Sequence, residues 1–174
     1  MAEIFWAESS ENSYREMSAT AHNLLCAVIA DKLGIPANEI NMLKDERGKP
    51  YIDGHSDMFI SLSHSKGVVM CAFSDKDIGV DVEMCVKRRK SVESRVFTDF
   101  ETSLLENSDD EDKAFFTLWT LKESYLKAIG TGFSDNAKNI EFLSLKNPIE
   151  SNNKNYSFTV GERDNFVFAV CEKK

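Results

Sequence analysis

The chain is poor in residues that would cross-link it or bind a soft metal. Its 174 residues hold four cysteines, Cys26, Cys71, Cys85 and Cys171. They lie far apart, form no C-x-x-C pair and have no histidine at ligand spacing. That points to free thiols in a reducing compartment and away from a zinc site. No apolar run approaches the roughly 20 residues needed to span a bilayer. Residues 1–17 carry early acids and no apolar block after a basic start, unlike a secretory signal. These absences predict a cytoplasmic protein with no membrane partner. Positive charge is also scarce: 21 Lys and Arg stand against 29 Asp and Glu, a net charge of −8. That balance argues against a nucleic-acid partner. The common nucleotide fingerprints, G-x-x-x-x-G-K-[ST] and G-x-G-x-x-G, are missing too.

What is present suffices for a globular core, because 42% of the residues are hydrophobic. After a short apolar stretch, Ile4-Phe5-Trp6, the spacing of Ala21, Leu24, Leu25, Val28 and Ile29 predicts a helix. It is capped at Ser18, runs to Leu33 and is stopped by Gly34 and Pro36. The stretch Asp45 to Pro50 reads as a turn. Strands are predicted at Phe59–Ser63, Val68–Phe73 and Ile78–Glu83, with turn residues Ser74 to Asp77 between the last two. A helix starts near Thr98, where Thr98 and Glu101 fit a capping box. The acidic linker from Asn107 to Asp112 suits the dipole of the next helix, about Lys113 to Ile129, which Gly130 ends. Two strands follow, near Tyr156–Val160 and Phe166–Cys171. The order helix, strands, helices, strands predicts an α+β fold with two similar-sized halves, about 1–83 and 84–174, in a single domain spanning 1–174.

Three groups of residues carry candidate chemistry. Asp81 and Glu83, two apart on a strand, present both carboxylates to one face beside Gly79. Paired carboxylates suit Mg²⁺, although the same spacing fits an ordinary solvent-facing strand. Trp119, Glu123 and Lys127 recur every fourth residue and share one helix face. They read either as a third metal carboxylate with a phosphate-binding ammonium or as a plain Glu–Lys pair. Ser61 to Ser65, with His64, reads as the end of a strand that either lines an anion site or simply turns. With Arg47 and Lys49 nearby in the chain, the set suits phosphoryl-group chemistry with Mg²⁺.

The stretch Gly79-Val80-Asp81-Val82-Glu83 resembles the G-[IV]-D-[IV]-E motif of 4′-phosphopantetheinyl transferases. Trp119 to Lys127 (WTLKESYLK) resembles their W-[ST]-x-K-E-[SA]-x-x-K motif. Gly48-Lys49-Pro50 and Ser61–Ser65 match family positions in the same order. The two-halved, surfactin-synthetase-activating branch fits best, and it implies two α/β halves related by pseudo-two-fold symmetry. The resemblance implies transfer of 4′-phosphopantetheine from coenzyme A to a carrier-protein serine, with release of adenosine 3′,5′-bisphosphate. By resemblance Asp81, Glu83 and Glu123 hold Mg²⁺. Arg47, Lys49, Ser63, His64, Lys122 and Lys127 bind the coenzyme A phosphates. Glu101 aligns with a glutamate that helps activate the serine; Glu83, a metal-bound water and Lys127 stand as alternatives. An acidic carrier is expected to dock near Val86, Lys87, Arg88, Arg89 and Phe97, beside Lys90 and Val96, on a monomer or weak homo-oligomer. The chain is shorter than typical two-halved members before its first helix, and Asn23 stands where an Arg is common. A non-catalytic module that binds carrier or coenzyme A with the same fold is the alternative.

Overall fold

The computed structural model describes residues 2–88, 92–132 and 135–174. The elements run β1 (Glu3–Glu8), α1 (Tyr14–Leu33), β2 (Met42–Lys44), β3 (Pro50–Ile52), β4 (Phe59–Ser65), β5 (Val68–Ser74) and β6 (Ile78–Met84). They continue with α2 (Glu93–Val96), α3 (Asp99–Glu106), α4 (Glu111–Ile129), β7 (Tyr156–Arg163) and β8 (Phe166–Lys173). The fold is α+β. A five-stranded antiparallel sheet, β1-β5-β4-β3-β2, faces a three-stranded antiparallel sheet, β6-β8-β7.

The sheets part at residues 75–77. The strand Ile78–Met84, placed in the first half by a boundary near residue 83, therefore belongs to the second sheet, because its ladder partner is β8. The larger sheet ends in two three-residue strands, β3 and β2, at one edge, with β1 at the other. Among the described residues, no helix is long and apolar enough to cross a membrane.

Each sheet carries one long helix. Leu25 and Ile29 of α1 pack on Ile60, Cys71 and Phe73. On the other face of the first sheet, Met70 and Ala72 meet Ile78, Val80, Val82 and Val170 of the second. The far side of the second sheet, Ala169, Cys171 and Phe158, is covered by α4 and its neighbours. The alternation in β6 thus sends Ile78, Val80 and Val82 between the sheets and leaves Gly79, Asp81 and Glu83 on the opposite face.

The helix caps explain the boundaries. Helix α1 begins earlier than the Ser18 expectation, because the Ser13 side chain accepts from Glu16 N at 3.2 Å. Asp110 caps α4 by accepting from Lys113 N, and Gly130, at φ +70°, closes it in the left-handed region. The Thr98–Glu101 capping box is formed as expected. Strand β4 continues through His64 to Ser65, paired with β5 over its whole length, so this segment is strand and not a turn.

Candidate active site

The site is built where β6, β4 and α4 meet. Among the described residues, strand β6 pairs with β8 on one edge only. Its other edge would leave buried N–H groups without partners, and β4 supplies hydroxyls instead. Ser61 Oγ accepts Val80 N–H at 3.0 Å, Ser63 Oγ accepts Val82 N–H at 3.2 Å, and Ser65 Oγ accepts Met84 N–H at 3.3 Å. With its acceptor side taken, each of the last two hydroxyls turns its proton to a carboxylate. Ser63 donates to Asp81 Oδ1 at 2.8 Å, and Ser65 donates to Glu83 Oε2 at 2.7 Å.

Helix α4 lies directly on β6 at Gly79. A Cβ built there would stand 1.9 Å from Ser124 O and 2.5 Å from Ala128 N, so only glycine permits this approach. The contact aims the Trp119–Glu123–Lys127 face of α4 into a cleft of about 500 Å³ shared with β4 and β6. Lys127 Nζ reaches Asp81 Oδ1 at 2.8 Å. Asp81 is 4% exposed, and its Oδ2 is buried and accepts no hydrogen bond from any described residue.

Charge is concentrated here. Burial, then repulsion from Asp81, raises the Glu83 carboxyl. Burial, then Asp81, pushes Glu123 up to about 7, with Lys127 opposing. His64 is lowered by burial and then by the Lys127 ammonium, so at neutral pH its ring is neutral. As placed, no three His, Cys, Asp or Glu side chains among the described residues converge at metal-holding distance. The donor set nevertheless fits a hard divalent cation. It offers only oxygen ligands, its carboxylates repel one another, and one buried Asp81 oxygen is free.

Of the expected site residues, Arg47, Lys49, Ser63, His64, Asp81, Glu83, Glu123 and Lys127 all line this cleft. The Asp45 carboxylate holds the Arg47–Lys49 turn by accepting both N–H groups. Lys49 is less free than expected: its ammonium donates to Asp77 Oδ1 at 3.2 Å and to Ala128 O at 2.5 Å. Tyr14, whose ring meets His64 edge-on at 5.0 Å, Ser18 and His22 also line the cleft. Sequence reasoning missed them; it included Ser65 within the Ser61–Ser65 segment but not its bond to Glu83.

Two expected site residues lie elsewhere. Glu101 and Lys122 are both fully buried and form an ion pair at 2.7 Å outside the cleft. Lys122 follows Leu121 on the core side of α4, about 100° around the helix from Glu123, so it faces away from the cleft. The expected basic docking patch also changes. Arg88 is drawn inward, its side chain 6% exposed, by Glu93 at 3.4 Å, by Asp112 at 4.0 Å and by Glu111. Phe97 is 1% exposed and packs edge-on against Phe115. Val86 and Lys87 are exposed, while Arg89 and Lys90 lie outside the described residues.

Residues 77–171 match the family model of the 4′-phosphopantetheinyl transferase superfamily. The chain is 31% identical over 165 residues to the 4′-phosphopantetheinyl transferase gsp of Aneurinibacillus migulanus, covering 92% of this chain and 68% of that one. It is 32% identical over 113 residues to Sfp of Bacillus subtilis (strain 168), covering 64% and 50%. HetI of Nostoc sp. is 31% identical over 129 residues, covering 70% and 54%. The chain thus spans about two thirds of gsp and about half of the other two. A crystal structure of Thermotoga maritima holo-[acyl-carrier-protein] synthase overlays on 56% of this chain and 64% of its own, with TM-score 0.48 and 20% identity. With more than half its length matched by the family model and nearly all of it aligned to gsp, the chain belongs to the 4′-phosphopantetheinyl transferase superfamily.

Proposed function

We propose that this protein transfers the 4′-phosphopantetheine group of coenzyme A to a serine of an apo acyl or peptidyl carrier protein, releasing adenosine 3′,5′-bisphosphate, with Mg²⁺ required. The observation that carries this reading is the meeting of Asp81 and Glu83 with Glu123 and Lys127 in one cleft, around an Asp81 oxygen that is buried and free.

Asp81, Glu83 and Glu123 are the residues that would hold Mg²⁺. When bound, the ion supplies charge neutralisation at the pyrophosphate as the leaving phosphate departs. Ser63 and Ser65 fix two of these carboxylates in rotation. Lys127, already at 2.8 Å from Asp81, donates to a phosphate oxygen at the same end of the cleft. Neutral His64 and the exposed Arg47 also line the cleft and take the adenosine-side phosphates, with Lys49 joining them if it leaves Asp77. The carrier serine oxygen bonds to the β-phosphorus, and the bond from that phosphorus to the adenosine-side bridging oxygen breaks. The serine proton passes to Glu83, a carboxylate on the wall of the cleft. Glu101 is too deeply enclosed to take it.

The carrier docks beside the end of β6, on exposed Val86 and Lys87, and an acidic helix suits that lysine. The protein acts as a monomer or weak homo-oligomer in the cytoplasm.

One observation favours a second reading, a binding module without turnover: the carboxylates as placed do not converge at ligating distance, and Lys127 holds Asp81. Intact-mass measurement separates the two. The protein is mixed with coenzyme A, Mg²⁺ and a panel of apo carriers, with and without a chelator. A gain of one phosphopantetheine that the chelator removes supports the transferase. Coenzyme A binding without any mass gain supports the module.

A further inference from the structure

Lys122 spends every donor it has inside the protein. Its ammonium donates to Ala137 O at 2.8 Å and Ile140 O at 2.7 Å, and it meets Glu101 Oε2 at 2.7 Å. Glu101 is equally committed. Its Oε2 also accepts Thr98 N–H at 2.9 Å, and its Oε1 accepts Phe142 N–H at 2.9 Å. Both side chains are 0% exposed. One closed unit thus ties together the start of α3, the middle of α4 and the segment from Ala137 to Phe142.

A buried ion pair is weak support for stability, since desolvation offsets its Coulomb attraction; its best-attested use is to specify one arrangement among several. The arrangement at stake here is the rotation of α4. Lys122 and Glu123 are neighbours on that helix, so whatever fixes one aims the other. On the β6 side, α4 touches Gly79 through Ser124 and Ala128. A contact at a glycine limits how close the helix comes but offers no side chain to stop it turning. Buried Leu118, Leu121 and Leu126 resist turning by non-directional packing, and the Lys122 tripod adds directional bonds from the side opposite Gly79.

We propose that Glu101 and Lys122 are positioning residues: their buried pair sets the rotation of α4 and thereby directs Glu123 and Lys127 at Asp81. The proposal rests on the transferase reading of the cleft. It differs from a proton-accepting role for Glu101, which would require that carboxylate to reach the substrate.

The test compares wild type, Glu101→Gln, Lys122→Met and the double variant Glu101→Gln/Lys122→Met. Three properties are read: the transfer rate to an apo carrier, Mg²⁺ affinity by calorimetry, and hydrogen exchange at Phe142 N–H. Each single variant leaves a buried partner uncompensated. Each is expected to lose Mg²⁺ affinity and transfer rate by about 10–100-fold, as loss of an orienting partner does, with faster exchange at Phe142. The double variant removes both charges and so regains most of the stability that each single variant loses. It also lacks the directional bonds, so its Mg²⁺ affinity and transfer rate stay low; recovery of both to wild-type level overturns the proposal. Loss of a proton acceptor would instead lower the rate and leave Mg²⁺ affinity unchanged. A double variant as slow as Glu101→Gln, with Mg²⁺ affinity and Phe142 protection at wild-type level, overturns the proposal. Wild-type affinity in both single variants overturns it as well. If wild type itself transfers nothing, the transferase reading fails. Calorimetry and exchange then still decide whether the pair directs Glu123.

Discussion

Ser63 accepts the Val82 N–H at 3.2 Å and donates to Asp81 Oδ1 at 2.8 Å, so one hydroxyl both finishes the edge of β6 and orients a carboxylate. Changing Ser63 to Ala should therefore have two separable effects. A buried N–H loses its partner, which costs about 1–3 kcal/mol in denaturant unfolding. Asp81 loses its second anchor, which lowers transfer by about 10–100-fold at fixed Mg²⁺. Excess Mg²⁺ should restore part of the rate and none of the stability. Equal loss of rate at all Mg²⁺ concentrations would show that Ser63 does not act through Asp81.

Asp81→Ala and Glu123→Ala should each abolish transfer while leaving a folded protein. Both substitutions thin a crowded group of carboxylates in which burial, and then repulsion from Asp81, already raises Glu123 to about 7. Circular dichroism should show native secondary structure, and the melting temperature should not fall. Near-normal rates in either variant with Mg²⁺ present would remove that residue from the proposed ligand set.

Gly79→Ala should disturb the site without touching a charged group. The added methyl would stand 1.9 Å from Ser124 O, in backbone that cannot swing aside as a side chain can. Overpacking of this kind costs about 1–3 kcal/mol. Helix α4 would have to move off β6, taking Glu123 and Lys127 with it. Loss of transfer with the fold retained is the expected result, checked by melting temperature and rate together.

Arg88 and Lys87 are adjacent and should behave differently. Arg88 is enclosed by Glu93, Glu111 and Asp112, so Arg88→Ala should lower the urea midpoint clearly. Lys87 is exposed, so Lys87→Ala should leave the midpoint within experimental error. Its effect should be slower association with an acidic carrier, lessened at high salt. A change of midpoint in the Lys87 variant comparable to that in the Arg88 variant would contradict this division.

The thiols predict a pH dependence. Burial raises Cys71 from 9.0 up to about 12 and raises Cys171 as well. The folded state therefore resists ionising them. Their contribution to stability is present below about 9, the unfolded value, and is lost as pH rises through the folded values. Urea midpoints should fall between pH 9 and pH 11. In the native protein at pH 8, a thiol reagent should modify half-exposed Cys85 first and reach Cys71 and Cys171 only on unfolding. Rapid native labelling of Cys71 would refute this.

The sequence by itself determined whatever depends on local periodicity. Alternation in Ile78–Met84 put Asp81 and Glu83 on one face of a strand, and four-residue spacing put Glu123 and Lys127 on one face of a helix. Thr98, Glu101 and Gly130 announced their caps because capping bonds join residues a few positions apart. Periodicity shows which residues share a face, but not what covers that face. Only the tertiary structure decided that the face of β6 bearing Asp81 meets α4, and that three serines of β4 complete the edge of β6. It also decided that Lys122 turns inward to Glu101, 21 positions earlier in the chain, and that Arg88 leaves the surface for three carboxylates. In each of these cases a polar group loses water through contacts distant in sequence. It must then find its partner among whatever groups the fold brings alongside.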